Sequence, residues 1–428
     1  MKKQEMGFSL IELMVTMVIF LIVIAVGSQI LIGLLTQFKQ QSSIAETNIE
    51  GAFGLEILRQ DLEQAGYGLP WNLGGAKYNE AVAESGQTPW VDRDFNDGPP
   101  DNPVRGSGTD IDAAGASNPP GAVRSGNDAS GSLNNSDVLV IKGMNVARHI
   151  ATNLASGKWT TLSSVSPYVQ TWGLDSEDLI STDKVIVISP GATALNSRTL
   201  IMAGTTSFAK SPSSYKTSTT TFADVNSSTS PFLPTSIADT YIVYGVDSAT
   251  DLRMPFNRAD YYLKDYQMDH SVVVPKRCAP GTGILFKAVL NQSDGIHTEL
   301  PLLDCVLDMQ VDFVLDTDGN GSINWSPPTD LNATTFPSSP ANNIASLTAR
   351  QIRDQLKEVR VYVVAQEGQK DLNYDFSMGG TRISISYPEV VGSDSRTLTF
   401  PISSRVGSQY KYYRWRLYTI VVKPKNLK

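Results

Sequence analysis

Glu12 stands where an apolar segment should exclude it. It is the fifth residue after Gly7 in Gly7-Phe8-Ser9-Leu10-Ile11-Glu12-Leu13, and an uncharged apolar run, 13–38, follows directly. An ionisable group in a bilayer core costs roughly 2.5 to 3.5 kcal/mol even on lenient insertion scales, so such a residue marks a functional site and requires a partner. The chemistry open to it is neutralisation by an ammonium group inside the membrane. As a helix rising 1.5 Å per residue, the run spans about 39 Å, enough to cross a bilayer with tilt. A secretory signal peptide would account for Lys2 and Lys3, but the run is longer than a typical h-region and lacks a small-x-small cleavage site. A plain signal anchor accounts for the length and not for Glu12.

Two further groups of residues could do chemistry. Asp316-Thr317-Asp318-Gly319-Asn320-Gly321-Ser322-Ile323-Asn324 sets oxygen-bearing side chains at alternate positions on a glycine turn, as the start of a calcium loop does. Asp316, Asp318 and Asn320 would offer side-chain oxygens and Ser322 its carbonyl, with Asn324 or Asp330 completing the shell. The twelfth position is Pro327 instead of a bidentate Glu, and a metal-free β-turn rich in Asp, Asn and Gly is the competing reading. Cys278 and Cys305 are the only cysteines. In an exported region an even pair reads as a disulfide, worth roughly 3.5 kcal/mol on the chain-entropy model, and two buried free thiols are the alternative.

Catalytic patterns are missing from the sequence. Its histidines are His149, His270 and His297, and HExxH, Walker A and GxSxG motifs do not occur. From 395 to 428 there are eight Lys or Arg and no acidic residue, interleaved with Tyr410, Tyr412, Tyr413, Trp415 and Tyr418. Basic residues beside aromatics can hold single-stranded nucleic acid. The simpler reading is a terminal strand in which Tyr413, Trp415, Leu417, Thr419 and Val421 alternate with Arg414, Arg416 and Tyr418, and an overall formal charge of −8 argues against bulk nucleic-acid binding.

The hexapeptide Gly7-Phe8-Ser9-Leu10-Ile11-Glu12 resembles the class III signal of type IV prepilins and pseudopilins. That resemblance implies cleavage between Gly7 and Phe8 by a prepilin peptidase, N-methylation of Phe8, and a subunit-assembly role for Glu12. Loss of residues 1–7 removes Lys2, Lys3 and Glu5 and takes the formal charge from −8 to −9. Arg59-Gln60-Asp61-Leu62, Ala65-Gly66-Tyr67-Gly68, Pro301-Leu302-Leu303, the string beginning at Asp316, the strand around 359–364 and the ending Tyr413-Arg414-Trp415-Arg416 to Asn426-Leu427 are similar to PilW-type minor pilins. The resemblance implies an α+β, pilin-like fold and a structural or priming role in type IV pilus assembly, with other minor and major pilins and an inner-membrane assembly platform as partners. A J-type pseudopilin of type II secretion, or a pilus-tip adhesin or DNA-uptake subunit, would be built on the same anchor. The chain lacks the helix-breaking proline common in major pilins, and Gln29 holds its place.

These residues need particular elements to position them. The expected organisation is a leader over 1–7, a transmembrane and filament-core helix over 8–38, an amphipathic continuation over 39–66, an irregular insertion over 67–135 and a β-rich head over 136–428. With Lys2 and Lys3 cytoplasmic, everything after Lys39 lies across the inner membrane, in the periplasm before assembly and on the cell surface after it. In the second helical segment Ala45, Ile49, Ala52, Phe53, Leu55, Leu58, Leu62 and Ala65 recur at intervals of three and four and predict one stripe against a sheet. Gly66, Gly68 and Pro70 should end the helix. The stretch 72–135, dense in Gly, Asp, Asn and Pro, reads as a surface excursion, and 190–234 as a second loop-like region. Strands are expected at 137–142, 184–189, 199–202, 241–246, 283–290, 356–365, 381–387, 397–402 and 410–422. The cleanest alternation, Leu307, Met309, Val311, Phe313 and Leu315 against Asp308, Gln310 and Asp312, predicts a half-buried antiparallel strand.

Overall fold

The computed structural model describes residues 9–73, 76, 78, 80–81, 96–97, 119–126, 132–148, 153–165, 169–174, 176–180, 182–191, 198–202, 209–210, 232, 234–248, 252–321, 344, 347–376, 380–386 and 397–427. Helix α1 (Leu10–Glu63) is one element of 54 residues. Leu, Ile, Val and Met without proline let it run unbroken, and Gly66 and Gly68 end it by taking φ of 79° and 72°. The Gly66 N–H donates to the Lys142 carbonyl at 2.9 Å and fixes the exit of the helix on the sheet.

Among the described residues fourteen strands follow: β1 (Val123–Gly126), β2 (Val138–Gly143), β3 (Trp159–Ser163), β4 (Lys184–Ser189), β5 (Thr199–Leu200), β6 (Ala209–Lys210), β7 (Thr240–Asp247), β8 (Asn257–Lys264), β9 (Gly283–Leu290), β10 (His297–Leu315), β11 (Leu356–Glu367), β12 (Ile383–Ser386), β13 (Thr397–Phe400) and β14 (Arg414–Val422). Short helices α2 (Ala349–Gln355) and α3 (Ile402–Val406) lie between the later strands. The main sheet has the order β1-β2-β8-β9-β10-β11-β14 and every neighbouring pair is antiparallel. A smaller sheet has the order β3-β7-β4-β5 with β6 on β4, and β12 pairs with β13. The fold is α+β: a long apolar helix whose C-terminal part packs on an antiparallel sheet.

One core unites the C-terminal part of α1, the helix-facing side of the main sheet and one side of the smaller sheet, through residues such as Leu58, Leu62, Ile141, Tyr261, Val361 and Ile188. On the other side of the main sheet, Leu307, Tyr362 and Val364 form a separate core with Phe400, Ile402 and Trp415. This second covering explains why the alternating strand is not half-buried: Asp308, Gln310 and Asp312 are at most 1% exposed. Asp308 meets Arg405 of α3, and Gln310 donates to Asp308 at 2.9 Å. The residues 408–412 form a 3-10 turn, so the last strand starts at Arg414. Trp415 packs in the second core while Ile420 and Val422 lie on the helix side, so the strand changes which face is covered along its length.

The stretch from 72 to 135 also departs from expectation where it is described. Leu73, Ala76, Tyr78, Glu80, Asn96, Asp97 and Val123 are buried, and Val123 belongs to β1. Its polar composition suggested a surface excursion, but Glu80 and Asp97 face cations of the sheet instead of water. Strands β1, β3, β6 and β8 were not expected from the sequence.

Candidate assembly site

Ser9 caps α1 in extended conformation, and its backbone N–H donates to the Glu12 carboxylate at 3.1 Å. The carboxylate is therefore turned back toward the helix N-terminus, where the aligned peptide dipoles also favour negative charge. Gly7 and Phe8, the expected cleavage and methylation residues, lie outside the described residues. A free amino group at Phe8 would be one residue from the N–H that Glu12 already accepts.

Helix α1 has two apolar faces with different duties. Thr47, Gly51, Gly54, Leu55, Leu58, Asp61 and Leu62 are buried against the head. Ala45, Ile49, Ala52 and Phe53 point away from it, and Phe53 is 73% exposed. The single stripe expected from the sequence is thus two, because steps of three and four can drift around a helix with 3.6 residues per turn. The outward face continues the exposed apolar surface of 10–38, and among the described residues α1 is the helix long and apolar enough to cross a membrane.

The grip on the head is tight and partly ionic. A Cβ on Gly54 would lie 2.1 Å from the Leu302 carbonyl oxygen, so the helix backbone approaches β10 where only glycine fits. One turn on from Leu58, the Asp61 carboxylate accepts from the Tyr261 hydroxyl and pairs with Lys287, each at 2.5 Å. Burial lowers the Lys287 pKa, and the Asp61 charge opposes that shift. Burial pushes the Tyr261 hydroxyl well up, and Asp61 adds to the effect. Further toward the membrane, Arg277 pairs with Glu50 at 2.8 Å and with Asp304 at 3.0 Å. Arg277 and Asp304 are the immediate neighbours of Cys278 and Cys305, which form a disulfide with Cα atoms 4.9 Å apart. The bridge therefore ties Arg277, which receives Glu50, to the part of β10 that carries Asp304. Burial raises the carboxyl pKa of both Glu50 and Asp304, with Arg277 opposing it.

A second charge cluster escaped sequence reading. Lys142 pairs with Glu80 at 2.9 Å and Asp97 at 2.8 Å, and Arg124 reaches Asp97 at 2.7 Å. Arg258 joins Glu80 at 3.0 Å to Asp260 at 2.7 Å, and His297 stands 3.2 Å from Asp260. Burial alone would raise Asp97, but Arg124 and Lys142 hold its carboxyl down to about 2. Asp260 is likewise held at about 2, where Arg258 and His297 outweigh burial. The signal available was the alternation Arg258, Asp260, Tyr262, Lys264 in one strand, but the Glu80 that Arg258 meets lies 178 residues earlier in the chain.

In the loop after β10, Asp316 accepts from the Gly319 and Gly321 N–H groups at 2.8 and 2.9 Å. Asp318 accepts from the Asn320 amide at 2.8 Å. Burial pushes the Asp316 carboxyl up, but the bonds from Gly321, the Asp318 side chain and Gly319 bring it below its ordinary value. Ser322, Asn324, Pro327 and Asp330 lie outside the described residues. Among the described residues no group of three or more His, Cys, Asp or Glu converges as metal ligands.

Four of the eight basic C-terminal residues are paired within the fold. Arg405 pairs with Asp308, Arg414 with Asp371 at 2.8 Å, Arg416 with Glu367 at 2.6 Å, and Lys425 with Glu63.

A family model described as the prokaryotic N-terminal methylation motif matches residues 3–28. The chain carries a prepilin-type N-terminus. The motif covers Gly7, Phe8 and Glu12 together with the first turns of α1, and it supports a type IV pilin-like or pseudopilin subunit. A prepilin-type N-terminus implies processing by a prepilin peptidase and assembly with other pilins, and the exposed apolar part of α1 is consistent with membrane anchoring. Neither curated proteins nor solved structures gave a significant match to the chain.

Proposed function

We propose that this chain is a minor pilin of the PilW type, a structural and priming subunit of type IV pilus assembly. The observation that carries this reading is the outward apolar face of α1, which runs from the membrane segment through Ile49 and Phe53 while the opposite face holds the head. A subunit that only needed anchoring would have no use for apolar side chains beyond the bilayer. In a fibre that face packs among the helices of neighbouring subunits, with Glu12 neutralised by a Phe8 ammonium. The head then waits in the periplasm on an inner-membrane anchor until the assembly platform extracts the subunit. The role is mechanical, and chemistry on the chain belongs to the peptidase and methyltransferase.

Intact-mass measurement of the membrane-extracted protein should show loss of residues 1–7 and gain of one methyl group. A full-length, unmodified chain would overturn the reading. Deleting the gene should abolish or sharply reduce piliation. Intact pili with loss of type II secretion would favour the pseudopilin, and intact pili with loss of adhesion or DNA uptake would favour the tip-binding subunit.

A calcium site over 316–324 is a second proposal, motivated by the Asp318 side chain lying against Asp316, two carboxylates that a cation between them would relieve. Asp316, Asp318 and Asn320 would hold the ion through side-chain oxygens and Ser322 through its carbonyl, with Asn324 or Asp330 completing the shell. Calcium should raise the melting temperature of wild type and not of Asp318→Ala. Equal melting with and without the ion would remove the site.

A further inference from the structure

Just beyond α1, two arginines from distant parts of the chain sit over the indole of Trp71. The Arg353 guanidinium carbon lies 4.2 Å from the ring centroid and that of Arg198 lies 5.4 Å from it. The site is built in advance. Arg198 donates its N–H to the Pro190 carbonyl at 3.2 Å, and its own carbonyl accepts from Trp71 at 3.0 Å. It holds φ of 55°, a left-handed conformation that side-chain-bearing residues seldom adopt. Arg353 is placed by α2, whose Thr348 cap accepts from the Gln351 N–H at 3.1 Å.

The donors around Trp71 outnumber the acceptors among the described residues. Among the described residues nothing accepts a hydrogen bond from the Arg198 guanidinium, and Arg353 makes one long bond, 3.4 Å from Nε to Asp354. Tyr67 and Tyr244 complete the setting, edge to face with centroids 5.5 Å apart. Burial raises both phenols, Tyr67 to about 12, against the opposing charge of Arg198, so both are protonated donors at neutral pH. Neither hydroxyl has a hydrogen-bond partner among the described residues. Two like charges and two phenols, of which Arg353 alone has a carboxylate partner among the described residues, are the complement of an acceptor-only anion. A dianion answers both cations, and tetrahedral oxygens suit donors that converge from several directions.

We propose that Arg198, with Arg353, Tyr67 and Tyr244 around Trp71, forms a binding site for a phosphate group, free or carried as an ester. The test uses the detergent-purified full chain with inorganic phosphate and, separately, glycerol 3-phosphate, at ionic strength held constant with chloride. Saturable broadening of the phosphorus resonance and a rise in melting temperature are expected for either ligand. Arg198→Lys keeps the charge but loses the fork and should weaken binding at least about tenfold. Arg353→Gln should weaken it as well, while Arg148→Gln, at an exposed position, should leave it unchanged. Absence of saturable binding by both ligands, equal affinity in wild type and the two site variants, or acetate binding as tightly as phosphate would each overturn the proposal.

Discussion

Asp61 shows how one side chain can commit a helix to a sheet. It lies on the buried face of α1 and receives both Lys287 and the Tyr261 hydroxyl, in a setting where Lys287 is fully covered. Removing one partner of a buried ion pair leaves the other charged and desolvated, which costs about 3–5 kcal/mol, whereas replacing both by apolar groups can be nearly neutral. Asp61→Asn should therefore lower stability by that order, and the double variant with Lys287→Met should recover much of it. Urea unfolding of the purified chain checks both, and a single variant as stable as wild type would refute the coupling. Glu12 was conspicuous in the sequence because a lone charge in an apolar run is anomalous. Asp61 was not, since a charge in an amphipathic helix looks solvated until the sheet beneath it is known.

The elements were legible where period and packing agree. Strands β4 and β9 fall where their β-branched and aromatic runs put them, and the glycines after α1 end it as expected. β8 was missed because half its side chains are charged or polar, which reads as loop when the pairing of those charges is unknown. The expected stripe on α1 failed for a related reason: the close crossing with β10 requires Gly54, a residue without hydrophobic signal. Gly54→Ala should force the helix off the Leu302 carbonyl and cost about 1–3 kcal/mol or more, as overpacking does. Gly51→Ala meets only the Tyr418 hydroxyl end at 3.2 Å, which can move, and the higher helix propensity of alanine offsets the strain by up to about 1 kcal/mol. Thermal melts of the two variants should differ clearly. Equal losses would show that the close approach is not what glycine serves.

For the molecule as a whole, acid is the condition that reaches its deepest charges together. Asp97 and Asp260 are held at about 2 when folded, against an ordinary value of 3.8. Their stabilisation is fully present above the unfolded value and is lost as pH falls through the folded one. Each contributes on the order of 2 kcal/mol at neutral pH by linkage. Stability should fall between pH 4 and pH 2, and Asp97→Asn should flatten that fall, as read by urea titrations at fixed pH; an unchanged acid slope would show that the cluster does not titrate as a unit. The last strand carries a different consequence. Tyr418 sits beside Gly51, Ile420 and Val422 lie in the core with α1, and Lys425 donates its N–H to the Glu63 carbonyl at 2.9 Å. The ribosome makes α1 long before this strand. Until β14 has emerged, α1 lacks part of the bed it packs on, so this side of the fold closes through contacts between segments made far apart in time.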